Sequence, residues 1–379
     1  MTDTDTTQGP SYWRWYLAAA ALAVAVGTGT YVATNADTAD LTVAADTTTT
    51  SAPAVASVSS NVTATAETSL AQVPVVPLLD ASAVGEQVIP SVVTVQIRGA
   101  SFNGEDVVVG SGSGVVYDDE GHIITNEHVV AAGNTYEVVL SDGRIYPAEV
   151  VGADAMTDLA VLEVTAMDLT PIEIGESDGL SVGDPAVAVG SPLGLDGGPS
   201  LTVGVISAFG REVNTGATSS LFGMLQTDAP ITSGSSGGAL VDSEGALVGI
   251  TTAVGVSEIG VEGIGFATPV EIVVRVADEI IANGSASSPY MGIYPEPALE
   301  DTADGGSIPT GIAVTQVEPN TAASDAGIEE GDVISAIEGI EIHTFNDLVA
   351  ALRRFGAGET IEITLDSGTA VEVTLGQRP

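Results

Sequence analysis

The stretch Gly234-Ser235-Ser236-Gly237-Gly238-Ala239 is the most informative part of this chain, because it places a serine between glycines. A glycine before the serine lets the backbone adopt a positive φ and direct two amide N–H groups at one point. Amides arranged in this way can hold the negatively charged oxygen of a tetrahedral intermediate. Since a serine hydroxyl alone is a weak nucleophile, the pattern also requires a base and a group that orients the base.

The chain contains only three histidines, which narrows the choice of base. His122 follows a turn-like acidic segment and is expected to be a solvated loop residue. His343 lies in a separate C-terminal segment and is expected at the surface. His128 instead follows the strand-like run Ile123-Ile124-Thr125 and precedes two valines. A buried structural histidine is the alternative at that position, but the surrounding pattern favours His128 as the base.

The candidate for the orienting acid is Asp158, which directly precedes the apolar run Leu159-Ala160-Val161-Leu162. Asp154 is its near competitor and is predicted to be a solvated turn residue. The serine stretch also fits the G-x-S-x-G elbow of α/β-hydrolases, but that fold needs the order serine, acid, histidine. The observed order of His128, Asp158 and Ser236 is the one found on the double β-barrel of chymotrypsin-like proteases.

Several further motifs occur in the same order as in one known family, and together the chain resembles the HtrA/Deg serine proteases. One departure from that family is Ser235, because the residue before the nucleophile is usually Asn or Asp. The matching stretches are Gly110-Ser111-Gly112-Ser113-Gly114, Thr125-Asn126-Glu127-His128-Val129, Thr157-Asp158-Leu159-Ala160, Gly183-Asp184-Pro185, Gln226-Thr227-Asp228, Gly237-Gly238-Ala239-Leu240 and Gly263-Ile264-Gly265-Phe266.

The resemblance implies a mainly β fold, with a chymotrypsin-like double six-stranded β-barrel over residues 81–284 and a PDZ domain over residues 288–378. Short β-rich runs broken by Gly, Asp and Asn between Val84 and Thr268 agree with a barrel or sandwich. The segment from Pro269 to Asn283 is predicted to be a helix that stops at Asn283-Gly284.

The resemblance also assigns roles to individual residues. Ser236 would attack, His128 would act as base and Asp158 would orient it, with Gly234, Ser235 and Ser236 forming the oxyanion loop. A substrate pocket would take small aliphatic side chains such as Val and Ala, and would be lined by Ile231, Ala253, Val254 and Gly255. In the C-terminal domain Met291, Gly292 and Ile293 match the loop that receives a peptide's terminal carboxylate. The alternative is that these three residues only pack the small domain.

The region before the predicted protease domain is expected to attach the protein to a membrane. Residues 1–14 are polar and are predicted to be a cytoplasmic segment, and residues 15–34 form an uncharged apolar run long enough for a transmembrane signal anchor. Residues 35–80 are rich in Thr, Ser and Ala and are expected to be a disordered linker. A cleaved signal peptide is the alternative, which would make the protein secreted or periplasmic. Either way the protease and PDZ domains are expected outside the cytoplasm.

Composition excludes several other functions. Acidic residues outnumber basic ones by 51 to 8, and there is no lysine and no cysteine. Without lysine there is no Walker A loop, no Ser-Lys dyad and no Schiff base. Without a basic patch, a nucleic-acid partner is not expected. Three scattered histidines and no cysteine argue against a structural zinc site, so we expect neither metal nor cofactor.

These observations predict a membrane-tethered, ATP-independent serine endoprotease that cleaves misfolded or regulatory extracytoplasmic proteins. Its partners would be unfolded polypeptides and peptide C-termini, and its relatives commonly form trimers or multiples of them. The alternative function is a chaperone or sensing scaffold of the cell envelope in which PDZ binding dominates over proteolysis.

Overall fold

The computed structural model describes residues 79–100, 105–131, 133–192, 198–215, 220–252 and 263–378. The predicted segment 1–14, the predicted span 15–34 and almost all of the predicted linker 35–80 therefore lie outside the described residues. Among the helices that are described, none is long and apolar enough to cross a membrane.

The first six strands close into a barrel in the order β1-β2-β3-β6-β5-β4. Side chains alternate between the two faces of each strand, so Val93 and Val95 of β1 fill the barrel while Val92 packs outside it against a second core. A helix, α1 (Ala81–Val88), precedes the barrel and a one-turn helix, α2 (Glu127–Val130), follows β3. The strands are β1 (Val92–Ala100), β2 (Asp106–Val116), β3 (His122–Thr125), β4 (Thr135–Val139), β5 (Ile145–Asp154) and β6 (Leu159–Val164).

The next six strands close into a second barrel in the order β10-β11-β12-β9-β8-β7. The expected double six-stranded barrel is therefore confirmed. The strands are β7 (Pro185–Gly190), β8 (Ser200–Asn214), β9 (Ser220–Thr227), β10 (Ala239–Val241), β11 (Leu247–Thr252) and β12 (Gly265–Pro269).

The predicted helix after the second barrel is α3 (Val270–Asn283). Its apolar face, which includes Val273, Val276 and Ile280, is buried in a core shared with residues of both barrels. Burying each such side chain contributes about 1.5–3 kcal/mol. The helix ends where the sequence predicts, because Gly284 adopts φ 78° and donates its N–H to the carbonyl of Ile280 at 2.7 Å.

The C-terminal residues form the expected small domain around a separate apolar core. Its main sheet has the order β14-β15-β16-β18-β19, with β17 paired to β16, and β13 pairs with β20. Its elements are β13 (Pro289–Tyr290), β14 (Ile293–Asp301), β15 (Ser307–Val317), α4 (Ala322–Ala326), β16 (Val333–Ile337), β17 (Ile340–Glu341), α5 (Phe345–Leu352), β18 (Thr360–Leu365), β19 (Ala370–Thr374) and β20 (Gly376–Gln377).

Helix α5 packs directly on strands β8 and β9 of the second barrel. The rings of Phe222 and Phe345 meet edge to face with their centroids 6.0 Å apart. Gly223 allows the close approach, since a Cβ there would lie 2.6 Å from the Cβ of Ala350. Just beyond the helix, Arg354 donates hydrogen bonds to both carboxylate oxygens of Asp178. The small domain thus has a specific contact with the barrel domain.

Candidate active site

His128 lies on the one-turn helix α2, with about a third of its side chain exposed. Its Nδ1 lies 2.8 Å from Oδ1 and 2.9 Å from Oδ2 of Asp158. Its backbone N–H also donates to Oδ1 of Asp158, at 3.1 Å. The carboxylate therefore fixes both the ring and the main chain of this histidine, which leaves Nε2 as the ring nitrogen that can exchange a proton.

Asp158 lies in the turn between β5 and β6, with its side chain 8% exposed. Its φ of 56° is in the left-handed region, which costs a non-glycine residue about 1–2 kcal/mol. Two hydrogen bonds hold it there: Asn126 Nδ2 donates to its carbonyl at 2.7 Å, and Thr252 Oγ1 donates to Oδ2 at 3.1 Å. Because Thr252 ends β11, the acid of the first barrel is positioned partly by the second.

Ser236 lies on the loop that leads into β10 and is 5% exposed. Both barrels fix the backbone of this loop. From the first barrel, the N–H of Ser113 on β2 donates to the carbonyl of Ser236 at 2.8 Å. Gly237 donates its N–H to the carbonyl of Thr251 at 2.9 Å. At φ 86° a Cβ on Gly237 would lie 2.2 Å from the carbonyl oxygen of Ser113, so only glycine fits after this serine.

The turn before Ser236 is held just as firmly. Gly234 has a φ of 90°, as the sequence interpretation requires, and the N–H of Ser235 donates to the carbonyl of Thr232 at 2.9 Å. Ser113 Oγ donates to the carbonyl of Gly234 at 2.7 Å. The hydroxyl of Thr251 donates to the carbonyl of Ser235, also at 2.7 Å. The assignment of Gly234, Ser235 and Ser236 to an oxyanion loop stays a prediction.

The predicted substrate pocket is described only in part. Ile231 is partly buried against the core of the second barrel, and its Cδ1 would lie 2.6 Å from a Cβ built on Gly265. Ala253, Val254 and Gly255 lie outside the described residues. The pocket assignment therefore stays a prediction.

The predicted carboxylate loop precedes the edge strand β14. Met291 is buried in the core of the small domain, whereas Ile293 begins β14 and is partly buried. Gly292 adopts φ 82°, and a Cβ there would lie 2.3 Å from Thr321. Its carbonyl accepts the N–H of Glu318 at 2.8 Å. These contacts fix the backbone of the loop, and they leave its role in peptide binding a prediction.

The expectation that His122 is a solvated loop residue was wrong. The residue begins β3, its side chain is 12% exposed, and its Nδ1 lies 2.6 Å from Oδ2 of Asp118. Burial opposes ionisation of Asp118, but hydrogen bonds from the His122 ring and backbone outweigh it and hold the pKa of Asp118 below its ordinary value. The expectation that His343 lies at the surface is confirmed, since its side chain is half exposed. The expectation that Asp154 is a solvated turn residue was wrong, because it ends β5 and is partly buried. Its carboxylate accepts hydrogen bonds from Met156 N and Thr157 Oγ1 and from no histidine among the described residues.

One group of potential metal ligands occurs among the described residues, namely Asp118, Glu120 and His122. Oδ1 of Asp118 already accepts the backbone N–H groups of Glu120, Gly121 and His122, at 3.0–3.1 Å. Its other oxygen is occupied by the His122 ring. The group therefore builds the turn into β3.

The sequence interpretation missed three polar residues that position the site: Ser113, Asn126 and Thr252. Each is buried or nearly so, in or next to an apolar strand. A polar residue inside a buried run is the signal that could have found them, because buried polar groups are almost always hydrogen-bonded.

Comparisons with known proteins identify both domains. Residues 112–250 match the family described as Trypsin-like peptidase domain, and residues 289–372 match the PDZ domain family. Over 271 residues the chain is 36% identical to Putative serine protease HhoB of Synechocystis, a match that covers 68% of this chain and 64% of that protein. Over 319 residues it is 36% identical to Serine protease PepD of Mycobacterium tuberculosis, covering 78% and 65%.

Among solved structures, the chain is similar to the HtrA-type protease AlgW with a tripeptide. The identity is 32%, the TM-score is 0.59, and the match covers 79% of this chain and 97% of that chain. The chain belongs to the HtrA-type serine protease family. As a family member it joins one trypsin-like domain to one PDZ domain. The chain spans just under two thirds of the length of the two curated relatives above.

Proposed function

We propose that this HtrA-type protein is a serine endopeptidase that uses Ser236, His128 and Asp158 as its triad. The observation that carries the proposal is the double contact between His128 Nδ1 and the Asp158 carboxylate, at 2.8 and 2.9 Å, beside a serine loop locked by both barrels. A buried carboxylate that accepts a histidine N–H sets the tautomer in which the other ring nitrogen is basic.

In the proposed reaction Ser236 Oγ attacks the scissile carbonyl while His128 Nε2 takes the hydroxyl proton. The same nitrogen then gives the proton to the leaving amine, so that the acyl-enzyme forms and the amide bond breaks. Asp158 stabilises the imidazolium that exists between these two transfers. Water, activated by the same histidine, then releases the acid and restores Ser236.

The backbone N–H groups of Gly234 and Ser236 would hold the oxyanion. The rigid turn around them supports this role, because donors that are already fixed need no reorganisation when charge develops. Removing one such donor typically costs about 10²–10³ in kcat. We extend the proposal to a P1 pocket next to Ile231 that takes small aliphatic side chains, as no charged residue is predicted there.

Substrates are proposed to be unfolded extracytoplasmic polypeptides, and the PDZ domain is proposed to bind peptide C-termini at Met291, Gly292 and Ile293. The similar protease AlgW was solved with a tripeptide and with a decapeptide, which supports peptide recognition. Membrane tethering through residues 15–34, an extracytoplasmic location and assembly into trimers complete the proposal. Their support is the uncharged N-terminal run and the family resemblance.

The test compares casein cleavage by the native chain with cleavage by Ser236→Ala and by Ser235→Ala. Ser236→Ala should lose several orders of magnitude in turnover, because the hydroxyl that forms the acyl-enzyme is gone. Ser235→Ala should lose far less, since the described contacts at Ser235 use its backbone and not its hydroxyl. Reversed severity would contradict the site. Negligible cleavage by the native chain, together with suppression of casein aggregation, would favour the chaperone alternative.

A further inference from the structure

A cavity of about 110 Å³ lies where the barrel domain, the PDZ domain and the segment that connects them meet. Its walls come from residues 154–157 at the end of β5 and in the turn after it, from the connecting residues 287–290, and from the end of helix α5. Three of the chain's eight basic residues also line it: Arg275, Arg353 and Arg378. This concentration of positive charge is unexpected in a chain with a formal net charge of −43.

Arg353 is the unusual member of this group, because it is only 7% exposed and its Nε has no acceptor within hydrogen-bond distance among the described residues. Its guanidinium carbon lies 5.1 Å from the ring centroid of Phe222. Other arginines of the chain pair with carboxylates: Arg98 with Asp106, Arg144 with Asp142, Arg275 with Glu279 and Arg354 with Asp178. In a chain with 51 acidic residues, a buried arginine that pairs with no carboxylate in the described part of the chain requires another explanation.

The one carboxylate that lines the cavity is Asp154. Its interaction with Arg353 is electrostatic attraction without a hydrogen bond. Its oxygens accept hydrogen bonds from Met156 N and Thr157 Oγ1 instead, at 3.2 and 2.6 Å. Arg275 Nε donates a hydrogen bond to the carbonyl oxygen of Arg353 at 2.9 Å, which places a second guanidinium next to Arg353. Because Arg275 is paired with Glu279 at 3.3 Å, Arg353 and Arg378 face Asp154 as the carboxylate of the cavity wall, which leaves one positive charge in excess.

An unpaired buried charge is costly, because the desolvation of an ion is repaid only by close partners of opposite charge. Burial, aided by the fields of Arg275 and Arg378, lowers the pKa of Arg353 to about 10 against the opposing field of Asp154. The guanidinium thus stays charged at neutral pH. Contact with the Phe222 ring offsets part of the cost, yet a ring face does not satisfy the N–H donors at the guanidinium edge.

We propose that this cavity binds a small inorganic anion, with chloride as the representative, and that Arg353 is its principal ligand. A volume of about 110 Å³ is ample for a halide with several waters, since a cavity needs only about 10–15 Å³ by this measure to hold one water. A water alone would accept the Nε–H but would not offset the excess of positive charge.

The site would exist only while the two domains are in contact, because its walls come from both. Bound anion therefore stabilises the docked arrangement by mass action. One wall is the turn that leads directly to Asp158, and another is the end of α5, which packs on the second barrel. The ion would link the PDZ helix to the segment that carries the proposed catalytic acid.

The first experiment measures the melting temperature of the full chain at one fixed ionic strength, with chloride replaced stepwise by the bulkier gluconate. The quantity compared is the melting temperature in chloride minus the melting temperature in gluconate. We expect chloride to add about 2 °C in the native chain at tenfold excess over its dissociation constant. Arg353→Met should abolish the difference. Arg211→Met is the matched control, as it removes one positive charge from a site on β8 where Arg211 bonds to Gln226, and it should keep the difference.

The second experiment needs no variant: crystals of the native chain are grown or soaked in sodium bromide and the anomalous scattering is measured. The proposal predicts a bromide peak within hydrogen-bond distance of Arg353 Nε. A well-ordered water there without anomalous signal would overturn it, as would a chloride effect on melting that is equal in the native chain and in Arg353→Met. Should Arg353→Met fail to fold, Arg378→Met takes its place and should reduce the chloride effect.

Discussion

Replacing Asp158 with asparagine separates the proposed triad from a merely structural contact. The carboxylate accepts the backbone N–H of His128 at 3.1 Å, lies 2.8 and 2.9 Å from Nδ1, and accepts Thr252 Oγ1 at 3.1 Å. Asparagine offers one acceptor oxygen and one donor NH₂. Its NH₂ avoids the Oδ1 position, where it would oppose the His128 backbone N–H, and so takes the Oδ2 position next to Nδ1.

In that orientation the amide oxygen stays 2.8 Å from Nδ1 while the NH₂ lies 2.9 Å from it, so the side chain no longer fixes one tautomer. In the tautomer with the proton on Nε2, to which the NH₂ donates, the imidazole cannot accept the proton of Ser236. The same substitution in a chymotrypsin-like protease lowers kcat about 10⁴-fold. At about 1.36 kcal/mol per decade this corresponds to about 5.4 kcal/mol of transition-state stabilisation. We expect a loss of that size here, with folding retained because the side chains are nearly equal in shape.

The assay is steady-state hydrolysis of a chromogenic peptide with an aliphatic P1 residue, with circular dichroism as the check on folding. Asp154→Asn is the control, because Asp154 lies four residues earlier and bonds to Met156 and Thr157 rather than to His128. It should lose less than about tenfold. Activity of folded Asp158→Asn within tenfold of the native chain, or an equal loss in Asp154→Asn, would refute the assignment of the acid.

Three further predictions concern charge and regulation. Melting temperature should rise with NaCl between 0.01 and 1 M, as the Debye length falls from about 30 to 3 Å and the net charge of −43 is screened; a flat curve would contradict this. Because the folded pKa of Asp118 is lowered, its contribution to stability should be present above about pH 4 and lost as pH falls further, so Asp118→Asn should flatten the acid limb of a melting-temperature profile. Apolar peptides with a free C-terminus should stimulate the enzyme more than their amidated forms, because the Met291-Gly292-Ile293 loop would lose its anionic partner; equal stimulation would remove the carboxylate-loop assignment.

The sequence was sufficient for the features that depend on local pattern. Short β-rich runs between turn residues predicted a barrel or a sandwich, and Asn283-Gly284 predicted the end of α3, because glycine readily takes the left-handed φ of a helix cap. The order of His128, Asp158 and Ser236 narrowed the fold to a double barrel. These are consequences of spacing along the chain.

Features that depend on distant contacts could not be predicted in this way. The roles of Thr252 and Ser113 arise from bonds between the two barrels; a polar residue within an apolar run indicates that some partner exists, but nothing along the chain says which residue it is. The acidic turn residues before His122 suggested a loop residue. In the structure that turn brings the carboxylate of Asp118 within hydrogen-bond distance of the His122 ring. The burial of Arg353 follows from the docking of α5 on β9, which no local pattern records.

Covalent labelling tests the central claim, nucleophilic attack by Ser236, most directly. The native chain is treated with a fluorophosphonate and cut after arginine, which leaves Ser235 and Ser236 together in the fragment 212–275 because the chain has no lysine. Fragmentation of that peptide by mass spectrometry then locates the label. We predict phosphonylation of Ser236, with a rate that falls by at least about 10³-fold in His128→Ala, since the base that activates the hydroxyl is gone. Label on Ser235, or label on Ser236 at the same rate without His128, would contradict the account.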